Sequence, residues 1–277
     1  MTKDIRISIL CEDQAKMGYM DKPFLAQHGL SVFIETDDIR ILFDTGATDV
    51  YLNNAELFGI DLGSSDWIVI SHGHWDHADG LRVFPSKASK KHKLLIHPGA
   101  FADRHKATGE FNGMCYNRKQ MAEMFNLIES KTPYQLTDRI WFLGEIPREN
   151  DFEAKTTAFY SMNGGEETPD FLPDDTALAV KTEKGLSVIT GCSHAGICNI
   201  VEYAKKVTLQ STVHLVIGGF HLLGGGSQLE KTIEYFKENK VTYLYPMHCT
   251  DLAALSSFHR FFGIQKLCAG DRLVLDD

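Results

Sequence analysis

The 277-residue sequence has no apolar stretch long enough to span a bilayer. It also lacks a signal-peptide segment, because Met1-Thr2-Lys3-Asp4-Ile5-Arg6 leads straight into a strand-like run. No Cys-x-x-Cys pair occurs: Cys11, Cys115, Cys192, Cys198, Cys249 and Cys268 are dispersed. In a chain of this size that pattern argues for free thiols over a disulfide framework, and the expected compartment is the cytoplasm. Positive charge is scarce, with a formal net charge of −9 and no basic grouping denser than Lys87 to Lys93. A polyanion-binding protein would carry a basic stripe, so neither nucleic acid nor a membrane is the expected partner. A small molecule is, and the oligomeric state is left open. What the chain does have is 43% hydrophobic residues, enough to bury a core in one large domain or two small ones.

The most informative segment is Ser71-His72-Gly73-His74-Trp75-Asp76-His77, directly after the apolar run Trp67-Ile68-Val69-Ile70. Three imidazoles and a carboxylate at this spacing would splay around a helix. A strand end followed by a tight loop can aim all four into one cavity. Imidazole with carboxylate suits zinc and related divalent ions.

The rest of the chain reads as α/β. Ser31–Glu35 and Ile39–Phe43 flank a polar turn as a hairpin, and Val50–Phe58 has helical periodicity stopped by Gly59. Asp79–Phe84 begins a helix ended by Pro85, Lys93–His97 is a strand, and Lys119–Ile128 reads as a helix. Residues 100–172 are the least regular part, with loops such as Asn163-Gly164-Gly165-Glu166-Glu167. They read as a substrate-facing insertion in a single domain of residues 1–277, or as a plain connector. The pattern then restarts with a second hairpin, Ala177–Lys181 and Leu186–Thr190. Alternating helices and strands follow to Phe262. Two β-sheets between outer helices fit this order. Ligands in α/β sheets gather at carboxyl ends of strands, and His72, His194, His221 and His248 each follow an apolar run. His28, His92, His105, His214 and His259 read as ordinary core or surface residues, and His97 as either.

The His-x-His-x-Asp-His pattern resembles the signature of the metallo-β-lactamase superfamily. Leu42-Phe43-Asp44-Thr45-Gly46 lies where that superfamily usually has an Asp-x-Gly turn. Thr190-Gly191-Cys192-Ser193-His194-Ala195-Gly196, Gly218-Gly219-Phe220-His221 and Tyr245-Pro246-Met247-His248-Cys249-Thr250 look like the branch of dihydropterin-ribofuranosylaminobenzene phosphate synthases. The resemblance runs from about Arg6 to the C-terminus and implies a four-layer αββα sandwich. It also implies two divalent ions, zinc first, with iron or manganese as alternatives. His72, His74 and His194 would hold one, and Asp76, His77 and His248 the other.

The chain departs from the common pattern in two places. No His stands before the second hairpin, where Pro173-Asp174-Asp175-Thr176 lies, and Cys192 replaces the usual bridging Asp. Either His194 supplies the missing imidazole or one site is altered. Cys192 ligates or is a small buried hydrophobe, and Asp175 is a candidate carboxylate supporting or bridging the ions. Asp44 is expected to orient a metal-bound His through its free ring N–H. A bound ion brings the pKa of water from about 16 toward about 7, so metal-bound hydroxide is the expected nucleophile. Asp76 would hold it and accept its proton. His221 would donate a proton or bind phosphate, its glycines allowing close backbone approach. The implied activity is hydrolysis of a phosphoester, lactone or thioester, or a related phosphate-linked synthase reaction. A non-catalytic sensor and a mononuclear iron oxygenase are the alternatives. Diiron flavoproteins of the superfamily usually have Glu where His74 stands, which argues against them.

Overall fold

Parallel strands that end in polar loops organise both halves of the chain. A computed structural model describes residues 4–18, 22–85 and 91–275. Met1 to Lys3, and Lys87 and Lys90 of the densest basic grouping, lie outside the described residues. The chain divides into two compact units. One comprises the N-terminal part to Ala102, Asn112–Glu129 and the chain from Leu267. The other comprises Asp103–Phe111 and Ser130–Lys266. The irregular residues 100–172 are thus shared between both units.

The sheet of the first unit runs in the order Arg272–Leu275, Ile5–Cys11, Ser31–Glu35, Arg40–Phe43, Trp67–Val69, Lys93–Ile96, Asn126–Glu129. Its first three pairings are antiparallel and its last three parallel. Leu10, Phe33, Leu42, Ile68 and Leu94 pack with Tyr51 and Ala55 of the Val50–Phe58 helix in one core. The expected helix over Lys119–Ile128 is shorter. It spans Arg118–Met124, and Asn126–Glu129 pairs in parallel with Lys93–Ile96. Backbone partners offered by a sheet edge override the helical period there. The turn Asp79–Val83 is a 3₁₀ segment rather than the start of a helix.

The main sheet of the second unit has the order Tyr243–Met247, Val213–Gly219, Gly185–Thr190, Ala177–Thr182, Ile140–Phe142, Tyr134–Gln135. Again a hairpin is joined to parallel strands. Ile197, Ile200, Val201, Ala204 and Thr208 form the buried stripe of the Ile197–Thr208 helix, the spacing of one helical face. Ile197, Ile200, Val201 and Ala204 share a core with Val188, Val216, Phe236 and Phe258. The sequence expected only loops around 163–167. Phe159–Asn163 and Glu166–Pro169 instead form a hairpin that pairs with Arg104–Lys106 in a small third sheet. Among the described residues no helix is long and apolar enough to cross a membrane.

Candidate metal centre

In the first unit the His-x-His-x-Asp-His segment leaves the parallel strand Trp67–Val69 and turns into the short helix Trp75–Ala78. Gly73 is required there. A Cβ on it would lie 1.9 Å from the Ala100 carbonyl oxygen, so no side chain fits. His72, His74, Asp76 and His77 are all buried. The His72 ring lies 4.6 Å from that of His74 and 4.3 Å from that of His77. Asp76 Oδ2 is 3.7 Å from His77 Nε2.

Asp44 sets the orientation of this cluster. Its Oδ1 accepts the Ser71 N–H at 2.7 Å. Its Oδ2 accepts the Ser71 hydroxyl at 2.7 Å and faces His77 Nδ1 at 2.7 Å. A carboxylate can only accept, so His77 carries its proton on Nδ1 and turns the Nε2 lone pair away from Asp44. The Ser71 hydroxyl donates its one hydrogen bond to Asp44, so His72 Nδ1, at 2.9 Å, donates to the Ser71 oxygen. His72 Nε2 is then also a lone pair, 3.0 Å from His74 Nδ1. One buried carboxylate thus prepares two imidazoles as ligands, the arrangement in which a divalent ion is held with its outer partners in place. The donor set of imidazoles and carboxylate fits zinc, iron or manganese.

In the second unit, Ser193, His221 and His248 follow the Gly185–Thr190, Val213–Gly219 and Tyr243–Met247 strands. Their φ angles are 65°, 46° and 46°, and Asp44 in the first unit has 57°. Left-handed backbone at non-glycine residues is costly and gathers at functional sites. The His194 and His221 rings lie 4.3 Å apart, and Phe159 meets His194 edge-on at 5.5 Å. Asp175 is buried and accepts the Ala195 N–H at 2.9 Å, bracing the loop that carries His194. Burial pushes the Asp175 carboxyl up to about 7. A cavity of about 390 Å³ opens beside His194 and His221, with Lys155, Thr157 and Gln228 in its lining.

The glycines before His221 are needed by the fold itself. A Cβ on Gly218 would lie 2.1 Å from the Thr190 oxygen, and one on Gly219 2.6 Å from Cys249 Sγ. Their role is close strand packing. Cys192 is buried, and its carbonyl accepts from the Cys249 thiol at 3.4 Å. Burial alone would raise the Cys249 thiol. A hydrogen bond from the Cys192 side chain and the His248 and His221 rings outweigh it and bring it down to about 5. His97 is a buried cap, its Nδ1 accepting the Gly99 N–H at 3.0 Å.

Two residues that sequence reasoning passed over have defined places. Arg104 is fully buried, with Nε 2.9 Å from Asp170 and Nη2 2.8 Å from Asp174. His28, read as an ordinary core or surface residue, is exposed and has its Nε2 3.4 Å from Asp76 Oδ2.

A profile of the metallo-β-lactamase superfamily matches residues 26–105. A protein of Methanocaldococcus jannaschii without an assigned activity is 38% identical over 85% of this chain and 88% of its own. Another from the same organism, a 7,8-dihydropterin-6-methyl-4-(β-D-ribofuranosyl)-aminobenzene-5′-phosphate synthase, is 35% identical over 96% of this chain and 95% of its own. A crystal structure of a metal-dependent hydrolase of the β-lactamase superfamily shares 31% identity, covers 99% of this chain and all of its own, and has a TM-score of 0.85. A diphosphatase of the PhnP family is similar in fold alone, with 16% identity and a TM-score of 0.53 over the full length of this chain and 99% of its own.

Proposed function

Since the chain belongs to the metallo-β-lactamase superfamily, we propose that it is a metal-dependent enzyme acting on a small anionic ester, with hydrolysis as its leading reaction. The observation that carries the reading is the Asp44 network, in which one buried carboxylate leaves His72 and His77 with lone pairs on Nε2. A non-catalytic surface loop has no need of imidazole tautomers set in this way.

In this reading His72, His74, Asp76 and His77 are metal ligands, and His194 and His248 complete the set for two ions, zinc first. That assignment rests on the family pattern. The ions supply Lewis acidity and an acidified water. Asp76 accepts the proton released from water at the attack. His221 donates a proton to the leaving group or contacts an anionic oxygen of the substrate, at the wall of the cavity that also holds Lys155 and Gln228. Asp175 keeps the His194 loop in place. The cytoplasm suits six free thiols.

A phosphate-linked substitution is the second reading, favoured by 35% identity over 96% of the chain to the synthase. Elemental analysis, followed by a screen of phosphodiesters, phosphomonoesters, lactones and thioesters with the metal-loaded protein, tests the proposal. About two ions per chain and turnover of one ester class are expected. A chain that takes up no metal after reconstitution would overturn it. Metal uptake without hydrolysis of any class would move the reading to the synthase-type reaction.

A further inference from the structure

Asp76 is the one member of the ligand loop that Asp44 does not reach through the hydrogen bonds described above, and the first unit supplies it with another neighbour. His28 Nε2 lies 3.4 Å from Asp76 Oδ2, and His28 Nδ1 lies 3.2 Å from Asp13 Oδ2. One imidazole therefore stands between two carboxylates, one nitrogen to each. The contact to Asp76 is longer than a well-formed hydrogen bond and within ion-pair range.

The backbone around His28 is built for this placement. Gly29 has a φ of 136°, and a Cβ on it would lie 2.2 Å from the Asp76 carbonyl oxygen. The Leu30 N–H points to that same oxygen at 3.4 Å, and the Gly29 N–H to Asp13 Oδ1 at 3.3 Å. On the other side, Gln27 accepts the Thr48 N–H at 3.1 Å and its own N–H reaches the Glu12 carbonyl at 3.1 Å. The segment 27–30 is thus fastened to both carboxylate-bearing loops. The His28 ring itself is 58% exposed, whereas the Asp76 side chain is 8% exposed.

We infer that His28 is a positioning residue: braced by Asp13, its ring holds Oδ2 of Asp76 and so orients the other carboxylate oxygen toward an ion. The inference rests on the metal-dependent reading above. It concerns orientation and does not require His28 to touch substrate or metal.

Cobalt(II) is the probe, because its visible bands report ligand geometry. The full-length chain is stripped of metal and titrated with cobalt(II) in competition with a chelator, for wild type, His28→Ala, His28→Gln and Asp13→Asn. Loss of an outer partner typically costs about 10–100-fold in metal affinity. His28→Ala should weaken cobalt binding by about that factor and shift the visible bands, with the melting temperature of the metal-free protein unchanged. His28→Gln, whose amide can still donate to Asp76, should recover most of the affinity. Asp13→Asn should give a smaller loss of the same kind, and stands in if His28→Ala does not fold.

Wild-type affinity and spectrum in His28→Ala would overturn the inference. So would loss of a whole ion from both His28 variants, which would make His28 a ligand. If the wild type itself takes up no cobalt, the metal reading fails, an outcome separate from any difference between variants.

Discussion

Asp44 Oδ2 lies 2.7 Å from His77 Nδ1, with both side chains fully buried. Removing Asp44 leaves the buried Ser71 N–H, Ser71 hydroxyl and His77 Nδ1–H without their acceptor, and an unsatisfied buried donor costs about 1–3 kcal/mol. Asp44→Ala should therefore lower stability on that scale in chemical denaturation. It should also weaken metal binding by about 10–100-fold, as loss of an outer ligand partner does. Normal metal affinity in the variant would separate Asp44 from the ligand role of His77.

Asp76 sits at the start of a four-residue helix in the loop and has no part in either hydrophobic core. Asp76→Ala should abolish turnover and leave circular dichroism unchanged. Persisting activity with an intact fold would contradict the hydrolytic mechanism.

His221 is the neighbour of His194, 4.3 Å away ring to ring. His221→Ala should keep the metal content. If His221 is the proton donor, kcat should fall by about a hundred- to ten-thousand-fold. If it binds an anionic oxygen, the change should appear mainly in KM. Loss of an ion from the variant would make His221 a ligand and reopen the assignment of His194.

Asp175 offers a pH test on the metal-free protein. Burial raises its carboxyl from 3.8 to about 7, and among the described residues its Oδ1 has no hydrogen-bond partner. The folded chain therefore keeps a proton that the unfolded chain releases. Its contribution to stability is full below about pH 3.8 and is lost as pH rises through about 7. The difference in unfolding free energy between wild type and Asp175→Asn should shift against the wild type from pH 5 to pH 8. A pH-independent difference would show that Asp175 is ionised in the fold.

Local pattern made much of this legible. The helix Val50–Phe58 and the strand Ser31–Glu35 have the bounds their sequence pattern implies. The candidate ligand loop stood out in the sequence because four metal-binding residue types fall within six positions. Contacts between distant segments did not. Arg104 meets Asp170 and Asp174 across 66 and 70 residues, and nothing local marks an arginine as buried. His28 gains its place only because Gly29 lets the backbone press on Asp76. The strand Asn126–Glu129 exists because Lys93–Ile96 offers it partners, against a helical period that continues through it.

The left-handed backbone at His221 and His248 has an evolutionary consequence. Both have a φ of 46°, a conformation that costs an L-residue about 1–3 kcal/mol and glycine little. A glycine at either position would relieve that cost and remove the imidazole. Selection for heat resistance alone would therefore favour losing these side chains. If both imidazoles serve the proposed centre, stabilisation of this chain has to hold the two positions fixed, since there thermal robustness and chemistry pull in opposite directions.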